Sequence, residues 1–239
     1  MTVIGVTIGY SNQQETKLEL HANYLNVIKK AGGLPVILPP QIEPEVLEQL
    51  LDKIDGLLFS GGTDVDPYYF GEEPKKGLRR VDPGRDKFEM KLVNWALEKK
   101  VPVLALCRGI QVLNIALGGT IIQHLDGGLK HEQDAPYSYP SHKVFLTENG
   151  YLQQVYGKTE IAVNSFHHQA LQKTGSGLKV EASSSDGIVE AVSLPDHPFV
   201  VGVQWHPERM YKTEPLQLKL FQKFVRASSG RKNKFLSAN

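Results

Sequence analysis

Val101-Pro102-Val103-Leu104-Ala105-Leu106-Cys107-Arg108-Gly109-Ile110 is the stretch on which the reading of this chain turns. Val101–Leu106 is apolar without alternation, which predicts a strand covered on both faces, as in a parallel sheet flanked by helices. Arg108–Leu117 carries a helical pattern and stops at Gly118-Gly119. The chain therefore turns from strand to helix across a single residue, the cysteine. Ala105 and Gly109, two positions to either side, are small, as a sharp turn with an outward-facing central side chain demands. A helix N-terminus under a thiol offers free N–H groups and partial positive charge, which favour thiolate and oxyanion alike; Arg108 would add to that field. A buried, inert cysteine at a strand end fits the same segment.

Upstream of this turn, Val3–Ile8, Leu34–Leu38 and Gly56–Phe59 read as strands. Leu18–Lys30, Glu43–Lys53 and Asp86–Lys99 read as helices, so the first half alternates as βαβ units do. After about Gly127 the texture changes. Lys143–Thr147, Glu160–Val163, Leu178–Ala182, Gly187–Val192 and Phe199–Gln204 look like strands separated by turns, an antiparallel or mixed extension. Pro215–Arg226 reads as a last helix with proline in its first turn, and residues 228–239 as a flexible tail. The expected fold is α/β, one domain over residues 1–227: a three-layer sandwich around a mostly parallel central sheet, with a nucleophile elbow.

Bulk properties exclude several classes. Across 239 residues, 27 basic side chains nearly cancel 26 acidic ones, so nothing calls for nucleic acid or an anionic membrane surface. No apolar stretch approaches a membrane span. Met1–Tyr10 lacks a basic region and is broken by Gly5 and Gly9, so it reads as a strand rather than a signal peptide. One cysteine excludes an internal disulfide, and a cytoplasmic location is the default.

A thiol nucleophile needs a base. Gln204-Trp205-His206-Pro207-Glu208 follows a predicted strand; if the strand continues, His206 and Glu208 point to the same side. The carboxylate can then hold one imidazole nitrogen while the other faces the thiol. Ser60-Gly61-Gly62-Thr63-Asp64 follows the third strand, and its N–H groups can join that of Arg108 around an oxyanion. A phosphate loop is rejected there, since neither a Walker lysine nor GxGxxG spacing is present.

Together these elements resemble the class I glutamine amidotransferase-like family, in the order Gly-Gly loop, then Cys107-Arg108-Gly109 with Gln111, then His206-Pro207-Glu208. The match covers nearly the whole chain; Ala105 departs from the glycine that many members carry. The loop Ser60–Pro67 with Tyr69, the run Asn164-Ser165-Phe166-His167-His168-Gln169, and Asp86 with Glu89 look like the γ-glutamyl hydrolase branch. The resemblance implies hydrolysis of a small γ-glutamyl amide, with Cys107 as nucleophile, His206 as base and Glu208 orienting it. It places Gly61, Gly62 and Arg108 at the oxyanion hole, and Gln111 beside the substrate. Asn164, Ser165, His167, His168 and Gln169 are expected to contact the glutamyl group. No metal or organic cofactor is required, and a homodimer is compatible. A glutaminase subunit feeding ammonia to a separate synthetase, or a non-enzymatic binding protein on the same fold, are the alternatives.

Three further features invite other chemistries. Adjacent His167 and His168 suggest zinc, but neighbouring side chains of a strand face opposite ways and no HExxH or Cys/His set accompanies them. Asp86 and Glu89, at helical spacing, fit a structural or helix-terminal interaction better than a glycosidase pair. Arg231-Lys232-Asn233-Lys234 lacks interleaved aromatics and reads as a solvated end.

Overall fold

Leu104 and Leu106 pack into one apolar cluster, and Val103 and Ala105 into another. That is why the run before Cys107 does not alternate: each face of its strand meets helices. The computed structural model describes residues 1–12 and 16–236, with side chains described to residue 230.

The strands of the first half are β1 (Thr2–Thr7), β2 (Gly9–Tyr10), β3 (Leu18–Glu19), β4 (Gly33–Leu38), β5 (Gly56–Phe59) and β6 (Val103–Leu106). Those of the second are β7 (Thr120–Ile122), β8 (His142–Leu146), β9 (Glu160–Val163), β10 (Ala170–Lys173), β11 (Lys179–Ser184), β12 (Val189–Ser193) and β13 (Val200–Val203). The helices are α1 (Ala22–Lys30), α2 (Pro44–Leu51), α3 (Pro83–Glu98), α4 (Arg108–Ala116), α5 (Tyr151–Tyr156), α6 (Pro207–Met210) and α7 (Leu218–Leu236).

The main sheet runs β4-β1-β5-β6-β13-β12-β11-β8-β9, with β10 paired to β12 and β7 to β10. Pairings from β4 to β13 are parallel, and those from β12 to β9 antiparallel. The central sheet is therefore mixed, as the change of texture after Gly127 implies. Buried residues of α1, α5 and α7 join one apolar cluster, while those of α2, α3 and α4 join the other. Three layers result. Strand β13, from the second half, lies directly beside β6, and this places the segment after Val203 next to Cys107.

Several boundaries differ from the sequence reading. The first helix starts at Ala22 rather than Leu18, because Leu18–Glu19 pairs with Gly9–Tyr10 as a short ladder. Thr120–Ile122, Ala170–Lys173 and the helix Tyr151–Tyr156 were not expected; the two strands are short and pair with each other. Pro215 sits in a 3-10 turn, and α7 then runs to Leu236 instead of ending at Arg226. The flexible tail expected from Ser228 is thus helical to Leu236. Ser228 is fully buried and its hydroxyl donates to the Phe224 carbonyl at 2.9 Å. Residues 237–239, and the side chains of Arg231–Lys234, lie outside the described residues. Among the described residues, no helix is long and apolar enough to cross a membrane.

Candidate active site

Cys107 occupies the turn from β6 to α4 with φ 53° and ψ −106°. A positive φ at a residue with a side chain costs about 1–3 kcal/mol and persists only where its surroundings fix it. Here they do. Its N–H donates to the Val203 carbonyl at 2.8 Å, which ties the turn to β13. At Gly109 a Cβ would lie 2.5 Å from the Phe59 carbonyl oxygen, so only glycine lets α4 approach β5 this closely. Cys107 faces a cavity of about 570 Å³.

His206 lines the same cavity, and a Cβ on Gly61 would lie 2.9 Å from its Cε1 and 3.5 Å from Cys107 Cβ, so ring and thiol flank the same point. Its Nδ1 lies 2.7 Å from Glu208 Oε1, and Glu208 is fully buried behind it. A carboxylate can only accept, so the proton is assigned to Nδ1, which leaves Nε2 without a protein carboxylate and available to the thiol chemistry. The pair does not arise as a continued strand. Strand β13 ends at Val203, and His206, with ψ 75°, is the residue before the helical turn that Pro207 opens. Burial disfavours the imidazolium, yet Glu208 and then Cys107 outweigh it, and the His206 pKa is raised to about 10. Arg209 also lines the cavity, stacked 3.9 Å over the Tyr137 ring with its Nε 3.6 Å from Glu208 Oε1.

The glycine loop after β5 lies across from this pair. A Cβ on Gly61 would be 2.9 Å from His206 Cε1 and from Tyr24 Oη, so the loop passes within contact of the imidazole. The Gly61 N–H donates to Tyr24 Oη at 2.9 Å, which takes it out of the expected oxyanion set. Gly62 and Arg108, both lining the cavity, are the remaining backbone donors of that set. Arg85 fixes the loop from behind through the Ser60 and Gly61 carbonyls, at 3.0 and 3.1 Å. Neither Tyr24 nor Arg85 was singled out from sequence; only the i,i+4 spacing of Arg85 and Glu89 on α3 hinted at a pair.

The Arg108 side chain does not add to the field at the thiol. It is buried against Asp86 and Glu89, which it meets with one nitrogen each. Glu89 also accepts from Arg85 Nε at 2.9 Å, so two arginines and two carboxylates form a closed group binding α3 to α4. Burial raises the Glu89 carboxyl, but Arg108 and Arg85 more than reverse this and hold it below its ordinary range. Asp86 and Glu89 are structural, as their spacing suggested.

The segment Asn164–Gln169 divides. Asn164 and Ser165 are fully buried and do not line the cavity. Asn164 clamps the backbone of His206, donating to its carbonyl at 3.1 Å and accepting from its N–H at 2.9 Å. Ser165 donates to the His131 carbonyl, and its N–H to Gln133 Oε1 at 2.6 Å. Their hydrogen-bonding groups are used by protein, so the expected contact with a glutamyl group is corrected to a positioning role. His167, His168, Gln169 and Gln111 do line the cavity. His168 is held by Asp64 at 2.9 Å and His124 at 3.0 Å, while Gln111 makes only long contacts, 3.4 Å, to Gln169 and Gln204.

A mixed sheet between two helical layers, with a cysteine at the strand-to-helix turn, is the fold of class I glutamine amidotransferase-like proteins. The chain is similar over 96% of its length to the glutaminase domain of Trypanosoma brucei CTPS, with TM-score 0.66, 14% identity and 94% of that chain covered. The Peptidase C26 family model matches residues 2–208, and the chain belongs to that family. It is 41% identical over 222 residues to gamma-glutamyl-gamma-aminobutyrate hydrolase PuuD of Escherichia coli (strain K12), covering 87% of this chain and 85% of that protein. A Mycobacterium tuberculosis protein named "putative glutamine amidotransferase" is also 41% identical, over 214 residues, covering 88% of this chain and 68% of that protein.

Proposed function

We propose that the protein hydrolyses γ-glutamyl amides, releasing glutamate and an amine through a thioester on Cys107. The observation that carries this reading is the strained cysteine sharing the wall of a 570 Å³ cavity with His206, itself held by Glu208 at 2.7 Å. Kinship with a protein named gamma-glutamyl-gamma-aminobutyrate hydrolase supports the acyl group.

In this reading the Cys107 sulfur attacks the γ-carbonyl carbon. Negative charge that develops on the carbonyl oxygen is met by the N–H groups of Gly62 and Arg108, already oriented before reaction. The His206 imidazolium gives its proton to the departing nitrogen as the C–N bond breaks, leaving a γ-glutamyl thioester. Neutral His206 then takes a proton from water, whose oxygen attacks the thioester and releases glutamate. Glu208 stabilises the imidazolium in both halves. Gln111 and Gln169 supply polar contacts to the glutamyl end, His167 and His168, whose ring nitrogens face protein groups, shape the wall, and Asn164 acts one layer behind through His206.

The test is glutamate release from a panel of γ-glutamyl amides that includes γ-glutamyl-γ-aminobutyrate and glutamine. Turnover of amine-bearing members by this chain alone is the expected result. Activity confined to glutamine and dependent on a second protein would favour the glutaminase-subunit reading. Binding without turnover of any member would remove the enzyme reading altogether.

A further inference from the structure

Three imidazoles converge on one carboxylate that solvent does not reach. Glu190 on β12 is fully buried, and the side chains of His131, His142 and His167 are 2%, 4% and 2% exposed. His131 Nδ1, His142 Nε2 and His167 Nε2 lie 3.2, 3.3 and 3.6 Å from Glu190 Oε1. None of these atoms, nor Glu190 Oε2, has an aligned hydrogen-bond partner among the described residues. An uncompensated carboxylate in such a place costs several kcal/mol.

The far side of two rings decides what the near side can be. His131 Nε2 faces Asp186 Oδ2 at 3.1 Å, and His167 Nδ1 faces the Gln169 carbonyl at 3.0 Å. Both oxygens only accept, so these nitrogens carry the protons. In the neutral rings, His131 Nδ1 and His167 Nε2 are left as lone pairs aimed at the carboxylate. Two lone pairs and an anion directed at one point repel each other, unless a cation stands between them. A proton on one imidazole would serve Glu190 and leave the other lone pair unmet.

We propose that His131, His142, His167 and Glu190 form a binding site for one divalent transition-metal ion, with zinc the best match to the donors. Imidazole nitrogen and carboxylate oxygen suit zinc, whose bonds of about 2.0–2.1 Å put ligand atoms about 3.3 Å apart in a tetrahedron. The donor atoms of His131, His167 and Glu190 all lie within 4.8 Å of one another, and His142 reaches the same oxygen. Carboxylate and carbonyl groups on the outer nitrogens are the usual supports of metal-bound histidines. Asp186 is in turn held by the Ser184 hydroxyl at 2.6 Å.

The role of the ion is structural. His142 stands outside the set of three mutually close donors; drawn inward as the fourth ligand, it closes the tetrahedron and leaves no position for a reacting water. The ligands come from the loop after β7, from β8, from the segment before β10 and from β12, so one ion pins four separate pieces together. His167 also lines the cavity beside Cys107, so the ion would brace that wall. This assignment stands apart from the proposed chemistry and does not depend on it.

The test begins with the metal content of wild-type protein by inductively coupled plasma mass spectrometry, then chelator stripping and titration with zinc. The expected outcome is one saturable zinc site per chain, a Tm that falls on stripping and recovers with zinc, and no recovery with magnesium. Cobalt(II) in place of zinc should give the visible bands of a tetrahedral nitrogen–oxygen site, without thiolate charge transfer. Glu190→Gln and His142→Asn should each weaken zinc by at least about tenfold to 100-fold. Cys107→Ala should bind zinc as the wild type does. Stripped wild-type protein that takes up no zinc at micromolar concentration and keeps its Tm overturns the proposal. So does zinc binding that disappears in Cys107→Ala, because the ion would then sit on the thiol. The wild-type and cobalt measurements decide the matter even where a ligand variant fails to fold.

Discussion

His206 with Glu208, and Glu190 with its three histidines, use the same two residue types in opposite ways. The first is a pair two residues apart, joined by one aligned hydrogen bond of 2.7 Å and open to a cavity on the sulfur side. The second gathers four residues from separate segments, seals them from solvent and aligns no hydrogen bond between them. In the pair, the carboxylate already has its donor, and the imidazole is free to carry a proton. In the other group the carboxylate has none. A buried carboxylate that holds an aligned donor explains itself as machinery or structure, whereas one with a donor on neither oxygen points to something that completes it. In the Arg108–Asp86–Glu89–Arg85 group both carboxylates likewise have donors, with Arg108 Nε the one buried atom left over, and there structure is the whole account.

Removing the acceptor from the complete pair should have the largest effect. Glu208→Gln keeps the shape but no longer fixes the proton on Nδ1, and kcat for glutamate release should fall on the order of 10,000-fold, as for a triad carboxylate changed to its amide. A fall of less than tenfold in a folded variant would take the orienting role away from Glu208. Next is the closed arginine group. Glu89→Ala leaves Arg85 and Arg108 partly unpaired in the interior and should cost about 3–5 kcal/mol in urea unfolding. A cost below about 1 kcal/mol would show that the group is not a unit.

A smaller loss is expected at the glycine loop. The methyl group of Gly61→Ala would lie 2.9 Å from both His206 Cε1 and Tyr24 Oη. Displacing either should lower kcat by up to about 100-fold with little change in fold. Unchanged kcat would mean that the loop sits farther from the imidazole.

The gentlest probe is pH. His206 is raised in the folded protein from 6.5 to about 10. A raised pKa contributes stability that is fully present below the unfolded value and lost as pH rises through the folded one, so the window runs from about 6.5 to about 10. Cys107 is one of the groups that raise it, so Cys107→Ala should lower the His206 pKa in an NMR titration of the imidazole. An unmoved titration would mean that sulfur and imidazole do not interact.

Much of this was readable in the sequence where the chemistry is local. Cys107 announces itself because the strand, the turn and the helix adjoin it, and His206 with Glu208 because only Pro207 separates them. How the pair forms was not readable: the strand stops at Val203, and a helical turn rather than strand alternation joins carboxylate to imidazole. Asn164 and Ser165 looked like substrate contacts because a polar side chain in a loop does not disclose whether its partner is a ligand or the protein backbone. Here it is the backbone of His206 and His131. Arg108 carried two roles in one residue, and only its N–H stays at the site. The Glu190 group left one local trace, the adjacent His167 and His168, which suggested zinc but came with no ligand set in the sequence. His131, His142, His167 and Glu190 are spaced by no motif, and only the antiparallel half of the sheet brings them together.

The central claim, a γ-glutamyl thioester on Cys107, is tested most directly by adding hydroxylamine during turnover. Hydroxylamine competes with water for a thioester. Wild-type protein should therefore convert a γ-glutamyl amide partly to γ-glutamyl hydroxamate, with glutamate falling in proportion, and Cys107→Ala should form neither product. Glutamate release with no hydroxamate at any hydroxylamine concentration, or equal turnover by Cys107→Ala, would contradict the account.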